Sequence, residues 1–186
     1  MDQIDRKILA TIQPDATLSL DELSARVALS RNACWRRLKH LEDAGVIAGR
    51  VTLIDPNRIN VGLTVFIAIR AKEHSLGWLE LFKKAVADIP EITGVYRMSG
   101  DIDYLIQASV PDVAAYDRLY KRIIAKVALS DVSSSFVMEK IKATTVLPLD
   151  YVPLTTGSPE AARSVRIQGK PKAASPRRRA RVTGSS

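Results

Sequence analysis

The sequence predicts an α+β protein with an N-terminal winged helix-turn-helix and a C-terminal ferredoxin-like βαββαβ domain. Two patterns and the segment between them support this prediction. Apolar residues follow mostly helical spacing up to residue 54, while residues 63–149 alternate strand and helix patterns in two βαβ halves. A turn-rich connector separates the two patterns. The predicted boundaries, in chain order, are 1–54 for the first domain, 55–62 for the linker, 63–153 for the second domain and 154–186 for a tail.

Three helices are predicted in the first domain. Apolar residues at helical spacing over 4–12 form the first helix, which the following proline and aspartate end. Ser19 with Glu22 three residues later forms a capping box, which opens a second helix over 20–28. Ser30 caps a third, longer helix, and a glycine marks the end of that helix.

The segment after the third helix is expected to form the wing. Residues 46–54 have an extended pattern, and Gly49-Arg50 is placed for a tight turn or bend in a hairpin. The connector that follows begins with Asp55-Pro56-Asn57-Arg58, four residues typical of turns.

The second domain is predicted as strand, helix, strand, strand, helix, strand. Its strands are expected at residues 63–69, 92–98, 104–110 and 132–141. One helix ends before Pro90, and Asp112 caps the other. Four strands backed by two helices make a ferredoxin-like sandwich.

Composition narrows the functional classes. The hydrophobic fraction of 46% and the charged fraction of 26% are typical of a globular protein and exclude a wholly disordered chain. We expect no membrane span and no secretory signal, because no apolar run is long enough and the N-terminus lacks a basic stretch before an apolar core. The single cysteine, Cys34, fits a reducing cytoplasm, and with only His40 and His74 beside it we expect no metal site.

The net charge of +8 is concentrated in the tail. Residues 154–186 hold 8 basic residues and 1 acidic residue, 8 − 1 = +7, which leaves 28 − 8 = 20 basic and 20 − 1 = 19 acidic residues in the rest of the chain. The rest of the chain is therefore nearly neutral at +1, so nucleic-acid binding there has to be inferred from where the charges lie. The tail has few large apolar residues and is expected to be disordered, either as a solubilising end or as a loose contact to the DNA backbone.

The third helix has two distinct faces. Cys34, Leu38 and Leu41 share one face and are expected to pack into the domain core. The opposite face carries hydrogen-bond donors and an aromatic ring, in Asn32, Trp35, Arg36, Lys39 and His40. Such a strip on an anchored helix is what a helix-turn-helix presents to the major groove, and Arg31 and Arg37 flank it in position for phosphates. The alternative is an ordinary solvated basic face.

The segment Gly100-Asp101-Ile102-Asp103 lies between the two middle strands. Asp and Gly are common in turns, so it could be a turn without further function. A catalytic carboxylate pair lacks a third group. A third interpretation is an amino-acid site, in which backbone N–H groups hold an α-carboxylate and an aspartate pairs with the ammonium group.

The chain resembles the Lrp/AsnC (feast/famine) family of prokaryotic transcriptional regulators. The motifs that carry the resemblance are IDRKIL (4–9), ELSARVALS (22–30), RLKHLEDAGVI (37–47), SGDIDYLI (99–106) and SFVMEKIK (135–142). The resemblance implies the two-domain plan above and dimers that often assemble into tetramers or octamers. It also implies an effector site between dimers, built from Met98, Gly100, Asp101, Asp103, Ser135, Phe136 and Val137. Members of the family commonly end near the position of Tyr151, so the resemblance implies no role for the tail.

The sequence is therefore interpreted as a sequence-specific DNA-binding regulator that responds to an amino acid or related small effector, acts at the nucleoid, and needs no catalytic residue or cofactor. Asn32, Trp35, Arg36 and Lys39 are the expected base-facing residues. One alternative is an enzyme of the sirohaem decarboxylase type, although the second domain offers only His74 as a histidine. Another is a nucleoid-compacting protein without an effector.

Overall fold

The computed structural model describes residues 1–153, and these form two compact units. The first contains Met1–Ile47 together with the segment that starts at Val146, and the second is Ala48–Thr145. These units differ from the predicted domains in two respects. Residues 48–54, predicted as part of the first domain, belong to the second unit, and the end of the described chain belongs with the N-terminal helices. The expectations for residues 154–186 lie outside the described residues.

The first unit is built from the three predicted helices, each with a side-chain cap. They are α1 (Gln3–Ile12), α2 (Leu20–Val27) and α3 (Arg31–Asp43). Asp2 and Asp5 form a reciprocal capping box at α1, Ser19 and Glu22 form the predicted one at α2, and Ser30 caps α3. These caps satisfy the backbone N–H groups that a first helical turn leaves free. The apolar faces of the helices enclose a core of Ile8, Leu9, Leu23, Val27, Cys34 and Leu41.

Two left-handed residues set the entry and exit of α3. Ala28 has φ 58° at the end of α2, where the Leu29 N–H donates to the Ser24 carbonyl and begins the turn into α3. Gly45 has φ 69° after α3, as its position in the sequence predicts. A left-handed alanine carries a backbone cost that glycine avoids, so the α2–α3 turn is strained at one residue.

The expected wing hairpin does not form in this chain. Residues 48–55 have no helix or strand assignment, and no neighbouring strand pairs with them. Val51 and Leu53 are 82% and 71% exposed, and Ile54 is also exposed. A β-strand needs a partner, and residues 48–55 pair with no strand within the described part of one chain.

The second unit is the predicted antiparallel sandwich. Its elements are β1 (Leu63–Ala71), α4 (Leu76–Ala87), β2 (Ile92–Arg97), β3 (Tyr104–Val110), α5 (Val113–Ile124) and β4 (Leu129–Phe136). The strand order is β2-β3-β1-β4, so β1 and β3 are central. The last strand was predicted over 132–141; it begins and ends earlier, since pairing with β1 runs from Leu129 to Phe136.

One face of the sheet carries the core of the second unit. Val65, Ile67 and Ile69 of β1 alternate inward and meet the buried residues of β3 and both helices. Trp78 stacks on Phe82 with ring centroids 5.1 Å apart, and its indole N–H donates to the Ala128 carbonyl. This contact joins α4 to the residue before β4.

Candidate nucleic-acid and effector sites

The outer face of α3 presents six of the seven predicted DNA-contacting side chains to solvent. These are Arg31, Asn32, Trp35, Arg36, Lys39 and His40, all exposed. Their opposite face buries Cys34 and Leu41 in the core, so the helix cannot rotate without losing that packing. An exposed strip of donors on an anchored helix is the geometry that reading a DNA groove requires.

The basic groups on this face are only weakly engaged with the protein. Arg31 lies 3.7 Å from Asp21, and Lys39 lies 2.9 Å from Asp43, with all four side chains more than half exposed. The hydrogen bond and charge of Asp43 raise the pKa of Lys39, so the ammonium stays protonated. Exposed pairs of this kind contribute about 0–1 kcal/mol and exchange readily for phosphate. Arg36 has no ion pair or hydrogen bond with any residue in the described range.

Arg37 is placed differently from the expectation. Its guanidinium donates to Asp2 at 2.7 Å and to Asp5 at 2.6 Å, and its side chain is 31% exposed. The paired carboxylates raise the pKa of Arg37, and the pKa of Asp2 is lowered by the Asp5 backbone N–H and by Arg37. Arg37 therefore holds the first turn of α1 against α3, while its contact with phosphate stays a prediction.

The sequence contained a signal for this placement. Arg37 follows Cys34 by three residues and precedes Leu41 by four, which puts it beside the buried face of α3. Asp2 and Asp5 were not predicted as its partners, because a carboxylate near a helix start already has a role in capping. The two carboxylates here serve both purposes.

The loop between β2 and β3 is an exposed turn around Gly100, which has φ 111°. The Asp101 carbonyl accepts a 2.7 Å hydrogen bond from Nε of Arg70, while the Asp101 side chain is exposed. The Asp103 carboxylate accepts the Ala71 backbone N–H at 2.8 Å, which ties the loop to the end of β1. The two carboxylates thus differ, since Asp103 has a structural contact and Asp101 faces solvent.

The predicted effector residues divide into two groups at opposite ends of β1. The loop with Gly100, Asp101 and Asp103 adjoins Ile69–Ala71, because the Asp103 N–H donates to the Ile69 carbonyl. Met98 closes the same loop through its N–H to the Asp103 carbonyl. Ser135 and Phe136 pair with Phe66 and Val65, and the Val137 N–H donates to the Thr64 carbonyl. Along β1 the contact points of the two groups lie three to seven residues apart, about 10–23 Å at 3.3 Å per residue.

One chain therefore does not bring the seven residues together. Within one copy, a ligand that contacted both groups would have to bridge this gap along β1. The site between subunits that the resemblance implies stays a prediction, and this separation is compatible with it.

Other chemistry is limited in the described residues. Within residues 1–153 no group of three or more His, Cys, Asp or Glu side chains could hold a metal ion, and no helix there is long and apolar enough to cross a membrane. Burial raises the pKa of the Cys34 thiol, so it behaves as a small core residue. His74 is exposed, with Nε2 3.9 Å from the Asp103 carboxylate.

Comparison with known proteins places both units in one family. A winged helix-turn-helix DNA-binding model matches residues 1–48, and an Lrp/AsnC ligand binding domain model matches residues 64–147. The glutamate uptake regulatory protein of Zymomonas mobilis is 50% identical over 80% of this chain and 91% of its own length. The DNA-binding transcriptional activator DecR of Escherichia coli is 48% identical over 81% of this chain and 99% of its own length.

A solved structure agrees with these matches. It is a transcriptional regulator of Neisseria meningitidis in complex with L-Met, 37% identical, with a TM-score of 0.78 over 82% of this chain and 99% of that one. The fold, the anchored reading helix and both family matches converge on the same assignment. The chain belongs to the Lrp/AsnC family and is a DNA-binding transcriptional regulator.

Proposed function

We propose that the outer face of α3 reads base edges in the major groove, with Arg36 as the central contact. The observation that carries this proposal is the exposed Arg36 side chain, without an ion pair in the described residues, on a helix fixed by Cys34 and Leu41. A free guanidinium can bond a guanine at two positions, which is the commonest specific contact in the major groove. Asn32 and Lys39 extend the same strip.

The effector is an amino acid bound between copies of the chain. The division of the predicted residues between the two ends of β1 supports a site that one copy cannot complete. The exposed carboxylate of Asp101 suits the ammonium group, and backbone N–H groups in a turn such as that at Gly100 suit a carboxylate. The Neisseria relative was solved with L-Met, which favours this ligand class.

We propose assembly into homodimers, and from these into tetramers or octamers, and the exposed apolar residues of the second unit support association between copies. Val51 and Leu53 lie in the unpaired extended segment, and Met138 and Ile141 follow β4 with more than nine tenths of their surface exposed. Apolar surface of this kind marks protein interfaces. We place the action of the assembled protein at the nucleoid and assign it no catalytic role.

The test is to sequence the genomic DNA that the protein retains, with and without a mixture of amino acids. The proposal expects a recurring motif with half-sites about one helical turn or a multiple apart, because two reading helices of a dimer must face the same side. It also expects the amino-acid mixture to change the retained set. Retention without any motif would favour a nucleoid-compacting protein, and a set unaffected by amino acids would exclude the proposed effector class.

A further inference from the structure

Arg70, near the end of β1, is held beside the loop between β2 and β3 by a single hydrogen bond. Its Nε donates to the Asp101 carbonyl at 2.7 Å, and the side chain has no other hydrogen bond or ion pair within residues 1–153. An arginine carries five N–H donors, so the four on its two terminal nitrogens stay available. The side chain is also exposed, which leaves a charged hydrogen-bond donor open to solvent at this loop.

The sheet offers Arg70 a different partner that it does not use. Arg70 follows Ile69, which packs into the core, so Arg70 lies on the opposite face of β1. Asp131 of β4 is directly opposite Arg70 in the strand register, and opposite charges at such positions normally attract. No ion pair joins the two in the described structure, because Arg70 turns to the other side of β1 and contacts the loop that precedes β3.

Asp101 contributes the opposite charge at the same place. Its carboxylate is exposed and has no partner among the described residues, while its carbonyl holds Arg70. Asp103 differs, since its carboxylate accepts the Ala71 N–H and lies near His74. The loop therefore presents one unpaired cation and one unpaired anion that are joined through a single residue.

These two charges select a ligand class. A ligand with only negative charge, such as phosphate, would bring that charge next to Asp101, and a simple amine would bring its ammonium group next to Arg70. An α-amino acid carries both groups on one carbon, and its carboxylate can accept two N–H bonds from the end of a guanidinium.

The loop backbone offers a carboxylate weaker donors than Arg70 does. The N–H groups of Met98 and Asp103 are already engaged with the carbonyls of Asp103 and Ile69. The remaining N–H groups are neutral, and a hydrogen bond from a charged donor to a carboxylate is roughly twice as strong as one between neutral groups. Arg70 is therefore the better carboxylate ligand at this loop.

We infer that Arg70 binds the α-carboxylate of the effector while Asp101 binds its ammonium group. This inference rests on the proposed function, because it takes the effector to be an amino acid bound at this loop. It adds to the site a residue that the predicted set does not contain. It also requires that the ligand carry both charged groups.

Calorimetric titration of the full-length protein with matched ligands tests the role of Arg70. Each of the twenty L-amino acids is titrated first. The one that binds most tightly is then compared with its α-carboxamide, which keeps the ammonium group and the side chain but has no carboxylate. The variant is Arg70→Gln, and the matched control is Lys72→Gln, which removes the same charge from an exposed lysine two residues away. Circular dichroism confirms that each variant is folded.

We expect the parent to bind the amino acid about ten- to a hundred-fold more tightly than the carboxamide, because only the amino acid accepts ionic hydrogen bonds from Arg70. In Arg70→Gln this preference should fall below about three-fold, through weaker binding of the amino acid with little change for the carboxamide. Lys72→Gln should keep the preference of the parent. Arg70→Lys, which retains the charge but not the planar pair of donors, should keep part of it.

The comparison of the two ligands separates carboxylate binding from a structural role. If Arg70 only held the loop in place, its loss would disturb the ammonium site as well and weaken both ligands equally. An equal loss for both ligands, or an unchanged preference in Arg70→Gln, would therefore overturn the assignment of Arg70 while an amino-acid effector remained. If the parent binds none of the amino acids, the proposed effector class is wrong and the assignment of Arg70 is wrong with it.

Discussion

Replacement of Arg37 by alanine should destabilise the DNA-binding unit because it leaves two carboxylates without their cation. Asp5 has only 8% of its side chain exposed, and Asp2 lies beside it with 42% exposed. In the parent protein each carboxylate accepts an ionic hydrogen bond shorter than 2.8 Å from the guanidinium. In the variant, Asp5 keeps a charge in a site with little water, next to a like charge.

The expected loss in the free energy of unfolding lies between two limits. Breaking a fully buried ion pair costs about 3–5 kcal/mol, whereas an exposed pair contributes about 0–1 kcal/mol. Arg37 and Asp2 are partly exposed while Asp5 is not, so we expect a loss of about 2 kcal/mol. For a domain of 60–100 residues this corresponds to a fall in melting temperature of about 8–16 °C.

Differential scanning calorimetry on Arg37→Ala provides the measurement, and Arg36→Ala, one residue away and exposed, is the control with an expected change below about 0.5 kcal/mol. Adding Asp5→Asn to Arg37→Ala should recover part of the loss, because the asparagine can still cap α1 without a charge. If Arg37→Ala has the same melting temperature as the parent, the ion pairs of Arg37 contribute nothing to stability. If Asp5→Asn gives no recovery, the unpaired charge is not the cause.

Four further predictions use single substitutions. Arg36→Ala should weaken specific DNA binding by about 1–3 kcal/mol and blur preference at one base pair per half-site; gel shifts that show unchanged affinity and preference would refute the assignment. Ala28→Gly should raise the free energy of unfolding by about 0.5–1 kcal/mol in urea titrations, because glycine accepts the left-handed backbone without strain, and a lower midpoint would contradict this. Asp101→Asn should weaken amino-acid binding about ten- to a hundred-fold in calorimetric titration with folding retained, since an ionic hydrogen bond contributes about 1.5–3 kcal/mol. An affinity equal to that of the parent would mean that the loop is a turn without a role in binding. The lowered pKa of Asp2 stabilises the fold above its ordinary value of about 3.9, and this contribution disappears as pH falls through the lowered value. Asp2→Asn should therefore be less stable than the parent at pH 7 and converge with it as the pH falls below the lowered pKa of Asp2, and a pH-independent difference would exclude this linkage.

The secondary structure was largely predictable because its signals are local. Capping residues such as Ser19 and Ser30 and the left-handed Gly45 specify helix ends within a few residues of sequence. The wing was not predictable in the same way. Strand formation by residues 48–55 depends on a partner strand elsewhere. The spacing of apolar residues within the segment does not indicate whether the same chain supplies that partner.

The candidate sites were predictable as lists of residues but only in part as arrangements. The exposed strip on α3 follows from helical periodicity, which is why six of seven side chains lie where they were expected. The pairing of Arg37 with Asp2 and Asp5 was not predicted, because the interpretation gave more weight to its charge than to its position beside the core. The contact between α1 and the segment after residue 145 was not anticipated, since the pairing of Gln13 with Leu147 spans 134 residues and neither side carries a motif.

The separation of the effector residues along β1 has a consequence for dose response. A ligand site that is divided between two copies forms only as the copies associate, so its occupancy depends on protein concentration as well as on ligand concentration. By mass action, the ligand in turn favours the associated state in which it binds. On the proposed function, the abundance of this regulator would set the amino-acid level at which it responds, and cells could retune the threshold by changing expression without altering a single contact in the site.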